Sequence, residues 1–305
     1  MARPGSAPVL VGVDGSEESR VAVDWAVREA VLRHRPLRLV HAWGWLPPVH
    51  VPLAPIPVTP VPVEPVEGLE QAVAELLDAE VERARALAPG HEISGELARG
   101  AASNVLLERA EDSGAVLLAI GHRGLGGFAG LLVGSVGVQL TAHAPCPVVV
   151  VRQLGVPNGP SVGQVVTGVD GSPRSVGALA FAFEEASLHG QGLTAVHAWQ
   201  VPETVFEAGP IPAVYDMDAA SDAAARVLAE ALAGWQDAYP DVRVERRVVH
   251  AAPAKALLDH AKGAELLVVG TRGRGGFTGL LFGSVSQAAL HHAPCPVAVV
   301  RHAAQ

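Results

Sequence analysis

The chain reads as an α/β protein made of two tandem, doubly wound, Rossmann-like domains, each with a five-stranded parallel sheet in the order 3-2-1-4-5. Three observations predict this. Short aliphatic runs alternate with helix-like stretches, a pattern of parallel strands joined by right-handed helical crossovers. Hydrophobic residues make up 49% of the chain but aromatics only 4%, so the core is Val, Leu, Ile and Ala, the composition of strands buried on both faces. The pattern also occurs twice. Val9-Leu-Val-Gly-Val-Asp-Gly-Ser16 matches Val165-Val-Thr-Gly-Val-Asp-Gly-Ser172, and Val40-His-Ala-Trp43 matches Val196-His-Ala-Trp199. Gly121-His-Arg-Gly-Leu-Gly-Gly-Phe128 matches Gly270-Thr-Arg-Gly-Arg-Gly-Gly-Phe277, and His143-Ala-Pro-Cys-Pro-Val148 matches His292-Ala-Pro-Cys-Pro-Val297. A repeat of this length in 305 residues is a duplicated domain, not a solenoid. Domains at 1–153 and 154–305 are expected, with a Pro/Gly-containing linker from Gln153 to Val162.

The elements follow in order. Val9–Val13 is a buried strand. Ser16 is a good N-cap, Glu17 and Glu18 suit the positive end of a helix, and that helix runs to about His34. In the second copy Ser172 is followed by Pro173, a favoured first helical residue. Leu37–Trp43 is the second strand. The Pro-rich stretch Pro47 to Pro65 cannot sustain helix or sheet hydrogen bonding and is a loop. A helix from about Glu67 to Ala88, a weaker strand near Ile93–Ala98 and a short helix from about Ser103 to Glu111 come next. Val116–Ile120 is the fourth strand, a glycine-rich loop spans Gly121 to Val133, a helix starts near Ser135, and Val148–Val151 closes the unit.

Charge and composition narrow the function. A net charge of −9 repels phosphate backbones, so no nucleic-acid partner is expected. The two cysteines, Cys146 and Cys295, form no disulfide framework. Met1 to Pro8 lacks an apolar signal core. The longest apolar candidate, Phe128 to Leu140, is broken by Gly130, Gly134 and Gly137, short of the ~20 residues that span a bilayer. A cytoplasmic protein without membrane contact is expected.

In a sheet of this order, ligands bind outside the carboxyl ends of the strands at the switch between strands one and four. Asp14 falls at the end of strand one and Gly121 at the end of strand four. The repeated Gly-x2-Gly-x9-Gly-Ser pattern is Gly121, Gly124, Gly134, Ser135, and then Gly270, Gly273, Gly283, Ser284. Glycines let backbone N–H groups approach phosphate oxygens, the helix start adds a positive dipole end, and Arg123 and Arg272 add charge. One copy alone could equally be a plain glycine turn, but two copies at switch points favour nucleotide binding. No Walker loop is present, the only lysines being Lys255 and Lys262, and the dinucleotide fingerprint fails at Ala129 and Thr278. Asp14 and Asp170 can be simple turn residues. As ligand contacts they suit a ribose hydroxyl or an adenine amino group.

On these motifs the chain resembles the universal stress proteins in their tandem, ATP-binding form. The resemblance implies ATP, with or without Mg2+, in each crevice. Gly12, Asp14, Gly168 and Asp170 would then lie by the nucleoside, and Ala42 and Ala198 would offer backbone contacts to adenine. Gly121, His122, Arg123, Gly124, Leu125, Gly126 and Gly127 would hold ribose and phosphates with Gly134, Ser135 and Val136. Gly270, Thr271, Arg272, Gly273, Arg274, Gly275 and Gly276 would do so in the second half, with Gly283, Ser284, Val285 and Ser286. Gly100 joins the first set, whereas His250 stands near the matching place in the second half; Gly137 likewise departs where Ser286 fits. Family members pair through their fifth strands, which implies a homodimer or an intrachain pseudo-dimer.

Other features are discounted. His143-x2-Cys146 and His292-x2-Cys295 are half of a zinc site at best; a histidine at a helix end and a small buried cysteine explain each pair. His41 and His197 read as structural. Gly159-Pro-Ser-Val-Gly163 matches the nucleophile-elbow pattern but sits in the linker. No catalytic or metal-ligating residue is assigned. The expected function is ATP-dependent regulation or signalling in a stress response, through an unnamed protein partner. The alternatives are a slow ATPase or autophosphorylating enzyme, and a structural adaptor with decayed sites.

Overall fold

A computed structural model describes residues 7–44, 68–124, 134–153, 159–200, 216–273 and 282–301. The Pro-rich stretch 47–65 lies outside them, as does part of the linker. In the first half the order is β1 (Val9–Gly12), α1 (Glu17–Leu32), β2 (Leu37–Trp43), α2 (Leu69–Leu87), β3 (Ile93–Arg99), α3 (Ala102–Ser113), β4 (Leu117–Gly121), α4 (Ser135–His143) and β5 (Val148–Val151). In the second it is β6 (Val165–Gly168), α5 (Ser175–Leu188), β7 (Leu193–Trp199), α6 (Met217–Leu232), the short α7 (Trp235–Ala238), β8 (Val244–His250), α8 (Pro253–His260), β9 (Leu266–Gly270), α9 (Ser284–His292) and β10 (Val297–Val300).

Each half has the strand order 3-2-1-4-5, with parallel pairing throughout. Successive strand residues feed opposite layers. Val9 and Val11 join the cluster beneath α1, α2, α5 and α6, while Leu10 joins the one beneath α3, α4, α8 and α9. Both clusters run through both halves, because β5 and β10 pair antiparallel, Val148 opposite Val299 and Val150 opposite Val297. The result is one ten-stranded sheet. An all-valine β5 left as an edge would expose a sticky backbone; here β10 covers it, so the fifth strands pair within the chain. Among the described residues no helix is long and apolar enough to cross a membrane.

Helix starts follow the local chemistry. Ser16 Oγ accepts from the Ser19 N–H at 3.1 Å and caps α1. The second copy departs from expectation: Pro173 is not the first helical residue. Ser172 and Pro173 instead open a tight turn, with Ser175 N–H on Ser172 O at 3.0 Å and Val176 N–H on Pro173 O at 3.3 Å. Consequently α5 starts at Ser175, without a side-chain cap.

The seam between the halves carries a charge quartet. Glu29 on α1 and Glu185 on α5 are each 1% exposed. Arg33 bonds Glu29 Oε2 at 3.3 Å, also bonds Glu185 Oε1, and reaches Glu184 at 2.5 Å. His189 Nε2 lies 2.7 Å from Glu29 Oε1 and 3.5 Å from Glu185 Oε2. Hydrogen bonds to Glu185, and then to Glu29, raise the His189 pKa to about 9 from 6.5. A group raised on folding contributes full stability below its unfolded pKa and loses it as pH rises through the folded one. Stability should therefore fall by about 3 kcal/mol between pH 6.5 and pH 9. Urea unfolding across that range should show the fall in the native chain and a flatter profile in His189→Gln; equal slopes would refute the assignment.

Candidate nucleotide-binding site

The carboxyl ends of β1 and β4 meet as expected, and a cleft of about 520 Å³ opens there in the first half. Its size lies within the range of small-molecule sites. Asp14 is held by its own turn. Its Oδ1 accepts from Ser16 N–H at 3.0 Å and from Ser16 Oγ at 2.5 Å. Oδ2 faces Gly124 so closely that a Cβ there would overlap it. The second half repeats this, with Ser172 N–H and Oγ on Asp170 Oδ1 at 2.9 and 2.7 Å, and Gly273 against Asp170 Oδ2. The repeated aspartate and the repeated second glycine are thus one contact in each half.

Gly12, Asp14, Ala42, Gly121, His122, Arg123, Gly124, Gly134, Ser135 and Val136 all line the first cleft. Leu125, Gly126 and Gly127 lie outside the described residues, as do Arg274, Gly275 and Gly276. Gly100 is not among the lining residues; it follows β3 with its N–H on Trp43 O at 2.9 Å, and Ala102 lines the cleft instead. Gly137 also lines it. In the second half, Gly168, Asp170 and Ala198 occupy the same strand ends, and His250 ends β8 stacked on Trp199 at 4.4 Å. Thr271 O accepts from Gly283 N–H at 2.9 Å and from Ser286 Oγ at 3.1 Å. This brings Gly270, Thr271, Arg272 and Gly273 beside Gly283 and the start of α9, where Ser284, Val285 and Ser286 lie.

The sequence reading missed the floor of the first cleft, formed by Val40, Leu106 and Ile120. These residues carry only a core signal, so nothing in the chain marked them. They also explain Gly12: a Cβ there would stand 2.9 Å from Leu106 Cδ1. At Gly168 the same role falls to Leu257, at 2.8 Å.

Arg123 makes one end of the first cleft basic. Among the described residues, His122 Nδ1, Arg123 Nε and the nearby Arg152 Nε are buried without hydrogen-bond partners. Burial, and then the charges of Arg152 and Arg123, hold the His122 imidazole below its usual range, against the opposing pull of Glu18. Buried polar atoms without partners are costly, and the Arg123 guanidinium lining the cleft suits an anion. The cleft therefore offers an apolar floor, a fixed carboxylate held against Gly124, and the Arg123 guanidinium with the start of α4.

The discounted groups sit as structural ones. His143 and His292 end their helices. Cys146 and Cys295 are free, and burial pushes both thiols up to about 12, which keeps them protonated near neutral pH. His197 Nδ1 is tied to Val169 O at 2.6 Å, whereas His41 Nδ1 is buried without a partner among the described residues. Ser161 is fully buried in a turn ahead of β6, not on an elbow.

Comparison with known proteins places these features in context. The model of the universal stress protein family matches twice, over residues 6–152 and 162–301. Universal stress protein Rv2623 of Mycobacterium tuberculosis is 39% identical over 299 residues, covering 96% of each chain. Universal stress protein Mb2028c of Mycobacterium bovis is 40% identical over 297 residues, again covering 96% of each. A universal stress protein structure from Archaeoglobus fulgidus matches with a TM-score of 0.66 at 17% identity, covering 97% of each chain, a likeness of fold.

Proposed function

The chain belongs to the universal stress protein family, and on that premise we propose that it binds ATP in the crevice of each half and acts as a regulatory module. The observation that carries this reading is the first cleft, whose apolar floor ends at His122 and Arg123, each with a buried nitrogen unpartnered among the described residues. Adenine fits the floor of Val40, Leu106 and Ile120. Asp14 faces the ribose or the base, since a carboxylate beside the phosphates would repel them. The phosphates would lie against Arg123, His122 and the start of α4, and Mg2+ bound with them would offset part of their charge. The two binding units are 1–153 and 154–305. Occupancy then changes the surface presented to a protein partner, and turnover stays far below a typical enzyme's ~10 per second.

The direct test is to denature freshly purified protein and identify released nucleotide by chromatography, with calorimetry on the emptied chain. ATP at up to two per chain is expected. No nucleotide and no heat would leave the glycine loops as structural turns. Asp14→Ala with Asp170→Ala should weaken ATP binding at least about tenfold, equivalent to ~1.4 kcal/mol, while the fold persists; unchanged affinity would sink the nucleoside-side assignment.

His122 gives a sharper signature. Its pKa is depressed in the free cleft, and a neighbouring polyphosphate favours the charged imidazolium. Binding at the first site should therefore take up a fraction of a proton near neutral pH, read as a dependence of the binding heat on buffer ionisation enthalpy. His122→Thr, the residue type of the second half, should abolish it. A buffer-independent heat in the native chain would place the phosphates elsewhere.

A further inference from the structure

Arg152, the residue after β5, reaches across the seam into the second half. Its Nη1 donates to Ala293 O at 2.7 Å and its Nη2 to Leu290 O at 2.6 Å. Both carbonyls belong to the C-terminal end of α9 and are among those a helix leaves without internal partners. A cation there opposes the negative end of the helix dipole. The other end of α9 begins at Ser284, in the second glycine motif. At nine residues the helix is only ~13 Å long, so Arg152 holds the far end of a short rigid rod that starts at the second crevice.

The same residue is tied to the first crevice. Val151 O, one bond before it, accepts the His122 N–H at 3.0 Å. The charge of Arg152 acts on His122, and Arg123 and Arg152 repel each other across a partly buried space. Among the described residues, the thiol of Cys295 is the other titratable group that Arg152 faces, and burial keeps it protonated. The counterpart in the second half, Arg301, makes a looser contact with the end of α4, Nη1 to His143 O at 3.3 Å, from an exposed position. The firmer connection therefore runs from the first crevice to α9.

We propose that Arg152 is a positioning residue that couples the two nucleotide sites, so that filling the first strengthens its hold on α9 and raises the affinity of the second. This rests on the ATP-binding reading above. A polyphosphate against His122 and Arg123 neutralises the repulsion that Arg123 exerts on Arg152. The guanidinium then sits more favourably over the Leu290 and Ala293 carbonyls, and the start of α9 is held more firmly where the second phosphate group docks. Linkage makes the effect reciprocal: ATP at the second site tightens the first by the same factor.

The test uses the full chain and ATP. Asp14→Ala weakens the first site and Asp170→Ala the second, so that calorimetry at ATP concentrations below the weakened constant gives the affinity of the untouched site in each. The overall constant for filling both sites of the native chain, divided by the product of those two, is the coupling factor. A factor of at least about five is expected, the lower end of typical allosteric couplings. Arg152→Gln should bring it to one whatever it does to the single-site constants. Arg152→Lys keeps the charge without the two-pronged bond, should retain part of the coupling, and decides the matter if the glutamine variant does not fold. A factor of one in the native chain would overturn the coupling while leaving ATP binding intact. A factor of five that survives in both variants would remove Arg152 from it. No ATP uptake by the native chain would instead count against the binding reading itself.

Discussion

Replacing Arg33 by alanine is expected to remove about 3–5 kcal/mol of stability, the cost of breaking a buried charge network from one side. Glu29 and Glu185 have almost no contact with water, and Arg33 binds one oxygen of each. Their remaining oxygens point at His189. With Arg33 gone, one imidazolium faces two buried carboxylates, and one of those must take up a proton or draw in water. The damage falls on the junction of α1 with α5, so the halves should loosen before either core melts. Urea unfolding with separate probes should then show two transitions where the native chain shows one. A loss under 1 kcal/mol with a single transition would mean that water already reaches the quartet. Replacing all four charged residues by apolar ones of similar volume should recover much of the loss, since a buried ionic cluster seldom outdoes good apolar packing. Recovery of stability with a looser seam would show that the quartet fixes how the halves register.

Much of this molecule is legible in the chain, for definable reasons. Strands such as Val9–Gly12 and Val148–Val151 are apolar on both faces, which only a covered parallel sheet tolerates. The glycines at 124 and 273 repeat because each must clear an aspartate that repeats with it. The continuous sheet was foreseen only through the resemblance, since nothing in a run of valines says which strand will cover its edge. The quartet went unseen. Glu29 and Glu185 look like ordinary helix acids, yet they stand at matching positions of the duplication, and so do Arg33 and His189. An acid repeated on an otherwise apolar helical face was the available signal. The cleft floor left none, since Leu106 and Ile120 are core residues like any other until the fold places an opening above them.

Exchanging Gly121 for alanine should cost about 1–3 kcal/mol, as overpacking does, while the same exchange at Gly270 should be neutral or stabilise by about 0.4–1 kcal/mol. A Cβ on Gly121 would meet the backbone of Glu18 at 2.7 Å and Ser19 N at 3.0 Å. Neither can turn aside as a side chain could, because the Ser16 cap and the Asp14 turn pin that first turn of α1. Either α1 or the end of β4 must move, and both border the first cleft. At Gly270 the nearest atoms are Arg272 O at 3.4 Å and Arg174 O at 3.8 Å, ordinary contact distances. Arg174 matches Glu18 in the repeat, and it stands back because Ser172 and Pro173 delay the start of α5. The later start of α5 thus goes with the unequal tolerance of two otherwise matching glycines. Thermal melts of the two variants decide this, with ATP calorimetry beside them. Gly121→Ala should lose first-site binding along with stability, and Gly270→Ala should keep both. Equal losses would mean that the glycines are needed for the ligand itself, not for the packing of the helix behind them.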